Sequence, residues 1–150
     1  MSLVNEVGAG LDGLSQLRAL LTAKRKPGIA QSLQFELVEV ERGKALFTGT
    51  PGEHAYNPIG SVHGGYAATL LDSACGCAVH TMLTETQMYT TLELKVAYHK
   101  PITRDSGLLR AEGTVVSIGR RAAFAEGKLV DSEGKLYATA TSTLLIMDRV

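Results

Sequence analysis

Asn57-Pro58-Ile59-Gly60-Ser61-Val62-His63-Gly64-Gly65-Tyr66-Ala67-Ala68-Thr69-Leu70-Leu71-Asp72 is the stretch whose reading decides the fold. A glycine-rich turn runs into an apolar segment that continues to about Leu83, and a carboxylate sits well inside it. An ionised group among apolar neighbours is costly unless it is paired or used, so Asp72 demands an explanation. The segment from Val62 to Leu83 is predicted to be one long buried helix. It is long enough to span a bilayer, but Asp72, His80 and the interspersed Gly, Ser and Thr argue for a protein core instead.

Outward from this helix the pattern turns to strands. Before it, Ser32 to Glu41 reads as a strand whose apolar phase shifts at Val38 and Val40, the mark of a bulge or of burial on both faces. Ala45 to Thr50 returns as a second strand after a turn at Glu41-Arg42-Gly43-Lys44. After the helix, Thr91 to His99 alternates, with Leu92, Leu94, Val96 and Tyr98 on one face. Leu108 to Ile118, Arg121 to Val130 and Leu136 to Ile146 follow, separated by the turn signals Gly119-Arg120 and Asp131-Ser132-Glu133-Gly134. An N-terminal helix over about 8–26 is read from Leu11, Leu14, Leu17, Leu20 and Leu21, with Pro27-Gly28 as its stop. Strands on both sides of one buried helix predict a single α+β domain over 1–150, its antiparallel sheet of five to six strands wrapped around that helix.

With 150 residues the chain can bury a full core. Lys plus Arg and Asp plus Glu balance at 15 each, so no field points to nucleic acid or an anionic membrane. The start of the chain lacks the basic and apolar runs of a signal peptide, and its two cysteines, Cys75 and Cys77, point to opposite sides of a helix. Both features predict a cytoplasmic protein with free thiols. No CxxC or HExxH occurs, so neither a metal nor a cofactor is expected.

The chemistry concentrates around the glycine turn. Glycines at a helix start leave backbone N–H groups unshielded and backed by the positive end of the dipole, which suits a phosphate, a carboxylate or an oxyanion. His63 either caps the helix or serves as a base; Asn57 either initiates a turn or donates its amide to the same oxygen as the glycine N–H. Asp72 lies eight residues past Gly64, roughly 12 Å along a helix. One carbonyl group cannot reach both, so a shared site requires two chains, with antiparallel central helices in a two-fold dimer.

These residues resemble the hotdog-fold acyl-CoA thioesterases, and among them the PaaI-like branch of phenylacetic acid degradation. The likeness rests on Asn57-x-x-Gly60-x-x-His63-Gly64-Gly65 followed by Leu71-Asp72, and on Thr91-Leu92-Glu93-Leu94-Lys95-Val96-Ala97-Tyr98-His99-Lys100-Pro101. It implies metal-free hydrolysis of an acyl-CoA to free acid and coenzyme A, which is part of the substrate. By this resemblance the Gly64 N–H and the Asn57 amide polarise the thioester carbonyl, and His63 supports the turn. Asp72 of the partner subunit acts as general base or as nucleophile, and Thr91 orients the water. Gly65, Arg120 and Arg121 are the expected contacts to coenzyme A, the arginines through its phosphates. Ala67, Ala68, Leu71, Cys75 and Met82 are the expected lining of the pocket for an aryl or medium-chain acyl group. A homodimer with sites at its interface, doubled to a tetramer, is implied as well. Two rivals stand beside this reading: a hotdog enoyl-CoA hydratase or dehydratase, which needs a His beside Asp72, and a non-catalytic acyl-CoA binding module.

Overall fold

The computed structural model describes residues 2–150. Three short helices lead: α1 (Leu3–Gly8), α2 (Gly13–Ala23) and α3 (Gly28–Leu33). The single helix expected over 8–26 is thus broken at its start. Gly10 takes a left-handed φ of 76°, and the Asp12 carboxylate caps α2 by accepting the Ser15 N–H at 2.9 Å. Pro27 stops nothing for long: it is the N-cap of α3, so Ser32 and Leu33 are helical rather than the start of a strand.

Six strands follow, β1 (Phe35–Glu41), β2 (Lys44–Gly49), β3 (Gln87–Tyr98), β4 (Leu109–Ile118), β5 (Ala122–Asp131) and β6 (Leu136–Asp148). They form one antiparallel sheet in the order β1-β2-β4-β5-β6-β3. Between β2 and β4 the chain passes through the central helix α4 (Gly64–His80) and out to the far edge as β3. The sheet wraps α4, which touches all six strands. This is the α+β hotdog arrangement that the sequence predicts.

Residues without bulk let the helix sit that close. Gly113 and Gly127 face each other across β4 and β5 directly under α4. A Cβ on Gly113 would run into the Ala74 carbonyl, and one on Gly127 would stand 3.1 Å from a Leu71 methyl. Leu70, Leu71, Ala74 and Ala78 of α4 are fully buried in one core with Leu109, Ala111, Leu129 and Ala138 of the sheet. Each buried leucine contributes roughly 2 kcal/mol from removal of its surface from water.

Two of the bulges bear on how the sequence reads, and the second also on the site. The one in β1, between Leu37 and Glu39, lies where the apolar phase of the sequence shifts. The one in β3, between Thr91 and Glu93, is not visible in the sequence, where alternation runs unbroken. It turns Leu92 outward, 58% exposed, so the helix-facing row is Thr91, then Leu94, Val96 and Tyr98.

The far end of α4 is tied down by polar groups. Gln16 Nε2 donates to Gly8 O, which leaves Gln16 Oε1 to accept from His80 Nε2 at 2.9 Å and from Arg149 at 3.4 Å. Burial, helped by the Arg149 charge, pushes the His80 pKa down to about 4. Cys75 and Cys77 are free thiols, and burial first, then the Asp72 charge, pushes both up to about 12. Among the described residues no helix is long and apolar enough to cross a membrane.

Candidate active site

The loop before α4 is held by its own side chains. Asn57 Oδ1 accepts the N–H groups of Ile59 and Ser61 at 3.1 and 3.2 Å, while Asn57 Nδ2 donates to Ser61 Oγ at 3.0 Å. Asn57 is therefore the organiser of this turn, with one amide hydrogen left for anything else. The Val62 N–H donates to Ile102 O and the His63 N–H to Ala55 O, which brings the turn against the loop after β3.

His63 is the N-cap of α4. Its Nδ1 accepts the Gly65 N–H at 2.8 Å, so the neutral ring carries its proton on Nε2. This bond removes Gly65 from the donors expected to meet coenzyme A. The Gly64 N–H, by contrast, finds no acceptor among the described residues. It points from the positive end of a 17-residue helix, the geometry that stabilises a developing oxyanion. A cleft of about 320 Å³ opens beside it, lined among others by His63, Gly64, Tyr98, His99 and Lys100, with no acidic residue in its wall.

Asp72 is half-buried, two turns along the same helix. Thr91 Oγ1 donates to its Oδ1 at 3.1 Å, across the bulge of β3. The other carboxylate oxygen is left without a partner among the described residues. The resemblance implies that Thr91 orients the water; in the folded chain its hydroxyl donates to Asp72 and holds that carboxylate. Most of the expected acyl pocket is closed. Ala67, Leu71 and Cys75 are fully buried against the chain's own sheet, and Met82 lies by Gly43 at the β1–β2 turn. Ala68 alone remains half-exposed on the open side of α4.

Strand register separates the residues into two groups. Tyr98 pairs with Ala138 at the Gly64 end of the sheet. Ala122, next to Arg121, pairs with Leu145, which pairs with Thr90. The turn bearing Arg120 and Arg121 therefore stands at the Asp72–Thr91 level, away from the Gly64 of its own chain. No ion pair engages either arginine among the described residues. Sequence reasoning missed one residue here, Tyr98, whose hydroxyl donates to Gly64 O at 2.6 Å.

Residues 59–138 match the family described as the thioesterase superfamily. The chain belongs to that superfamily. A 1,4-dihydroxy-2-naphthoyl-CoA hydrolase of Listeria monocytogenes is 26% identical over 119 residues, 79% of this chain and 95% of the relative. The proofreading thioesterase EntH of Klebsiella pneumoniae is 30% identical over 84 residues, 56% of this chain and 60% of its own. Among solved structures, a mutant of the phenylacetic acid degradation protein PaaI from Thermus thermophilus superposes with a TM-score of 0.72 at 25% identity, over 83% of this chain and 100% of that one. A thioesterase from Haemophilus influenzae superposes at 0.78 with 20% identity, over 88% and 90%. This superfamily member is a hotdog protein, and its chemistry is thioester hydrolysis.

Among the described residues, no histidine is bonded to the Asp72 carboxylate. His80, the histidine nearest to Asp72 along the helix, is buried and bonded to Gln16, and Asp72 is bonded to Thr91 instead.

Proposed function

We propose that the chain is an acyl-CoA thioesterase whose sites are completed between two copies. The observation that carries this is the free Gly64 N–H at the start of α4, with a half-buried Asp72 eight residues further along the same helix. That spacing is roughly 12 Å, too long for one chain to hold both ends of a thioester carbonyl reaction. A two-fold axis beside α4 brings the Gly64 of one chain to the Asp72 of the other, and it forms both sites at once.

The sheet supports such a dimer. β3 is an edge strand of 12 residues with Met88 and Leu92 exposed on it, an edge that monomers normally shield. Pairing two such edges continues one sheet across both chains, and doubling of that dimer to a tetramer follows the family pattern.

In the proposed reaction the Gly64 N–H stabilises the oxyanion as the carbonyl carbon becomes tetrahedral. The partner's Asp72 takes the proton of the attacking water through its open oxygen. Collapse breaks the C–S bond, and coenzyme A leaves as a thiolate that takes up a proton. Alternatively that oxygen attacks the carbonyl itself, and water then hydrolyses the resulting anhydride. Arg120 and Arg121, at the Asp72 level, supply cationic contacts for the phosphates of coenzyme A. The acyl group is aryl or medium-chain, held in the space between the two copies rather than inside one. A cytoplasmic location suits the two free thiols.

The test is steady-state thiol release from a panel of aryl and aliphatic acyl-CoA thioesters, with Asp72→Asn alongside. Turnover on at least one thioester, lowered by roughly 10³-fold or more in the variant, is the expected result. A folded, dimeric wild type inert on every thioester would overturn the reading and leave an acyl-CoA binding module.

A further inference from the structure

The oxyanion donor sits on the least constrained kind of residue. Gly64 is followed by Gly65, and two successive glycines at a helix start have wide freedom in φ and ψ. A donor that swings stabilises little, because preorganisation is what makes such a group effective. Something must hold this turn.

The peptide unit between Gly64 and Gly65 is gripped at both ends. Its N–H donates to His63 Nδ1 at 2.8 Å, within the helix cap. Its carbonyl accepts the Tyr98 hydroxyl at 2.6 Å, from a strand 34 residues away. The Tyr98 ring also fills the space above Gly64: a Cβ there would stand 3.0 Å from the hydroxyl oxygen and 3.1 Å from Cζ. Holding that plane fixes ψ of Gly64, and the capped His63 fixes what precedes it. The direction of the Gly64 N–H follows from both.

Tyr98 is 53% exposed and lines the same cleft as Gly64 and Lys100. A tyrosine kept half in water for core packing alone would need no such short bond. An ordinary phenol is protonated at neutral pH, and partial burial shifts this one further the same way, so Tyr98 is a donor there.

We infer that Tyr98 is a positioning residue for catalysis: through its bond to the Gly64 carbonyl it aims the oxyanion donor at the thioester. The inference rests on the proposed role of Gly64 and extends it to a side chain on another element. Because the hydroxyl acts on the transition state rather than on coenzyme A, its loss lowers kcat and spares KM.

The experiment compares wild type, Tyr98→Phe and Asp72→Asn on the best thioester of the panel. Thermal unfolding and sedimentation establish that each variant is folded and of unchanged assembly. Tyr98→Phe is expected to lose about 10-fold in kcat, part of the 10²–10³-fold that a whole donor is worth, with KM within about twofold and the shape of the pH–rate profile unchanged. A wild-type kcat in Tyr98→Phe, while Asp72→Asn is inactive, would overturn the inference and leave the proposed function standing. Full activity in Asp72→Asn would instead sink the site itself.

Discussion

At the scale of single residues, Gly64 has two duties, of which the second is open to glycine alone. It offers its N–H and it leaves room for the Tyr98 ring. In Gly64→Ala the new methyl meets the ring and pushes the turn aside, so kcat is expected to fall by roughly 10²-fold while the fold persists. Steady-state kinetics with circular dichroism as the control checks this; a variant with near-normal kcat would remove Gly64 from the site. Asp72 and Gly64 stood out in the chain because a carboxylate in an apolar run and a glycine pair at a helix start are local signals, whereas Thr91 was named only through the family resemblance. Tyr98 did not stand out, since nothing local distinguishes it from the apolar residues of its strand. Its partner lies on a different element, and only folding brings them together. That His63 caps the helix was one of its two readings in the sequence; that Nδ1 takes the Gly65 N–H was not visible, because Nδ1 and Nε2 acquire different roles only in a definite geometry.

At the scale of elements, the closeness of α4 to the sheet depends on Gly113, where any Cβ would strike the Ala74 carbonyl. Backbone cannot be repacked as side chains can, so Gly113→Ala is expected to cost at least ~3 kcal/mol, read from urea unfolding. A change below 1 kcal/mol would mean that the helix rides further from the sheet. The C-terminal end of α4 carries a pH dependence. Neutral buried His80 has its pKa lowered to about 4 from an ordinary 6.5, so the unfolded chain binds the proton more readily. Its contribution to stability is present in full above pH 6.5 and is lost as pH falls through about 4, on the order of 3 kcal/mol in all. Unfolding free energies at pH 7, 5.5 and 4.5 should therefore fall more steeply for wild type than for His80→Gln. The succession of strands along the chain and the long helix were readable from alternation and length, but the pairing order, with β3 beside β6, was not. The bulge in β3 was not, because the extra residue is itself apolar and leaves the pattern intact. Nor was the start of α2, because Leu11 belongs to the leucine spacing although it precedes the Asp12 cap.

At the scale of the whole molecule, the two groups of functional residues lie at different levels of one sheet. Gly64, His63 and Tyr98 are at one end; Asp72, Thr91 and the Arg120–Arg121 turn are at the other. If each site draws one group from each chain, two dead variants should revive one another. Mixing unfolded Gly64→Ala with Asp72→Asn and refolding them together is expected to restore about a quarter of wild-type activity. Half of the dimers formed are mixed, and one of their two sites is intact. Activity no higher than the sum of the separate variants would place both residues in one chain's site. This division was legible in outline, from the length of helix between Gly64 and Asp72. The position of the arginines was not, since it follows from register rather than from spacing.

Cys75 and Cys77 bear on how such an enzyme can be handled. Thiols held at about 12 are almost wholly protonated at neutral pH, and the thiolate is the form that attacks electrophiles and disulfide dyes. The chain should thus be silent toward a colorimetric thiol reagent until denatured. Each equivalent of colour released during turnover then counts one coenzyme A set free, without a blank for the protein and without mutating either cysteine. Alkylating agents should likewise spare the native enzyme while trapping its product.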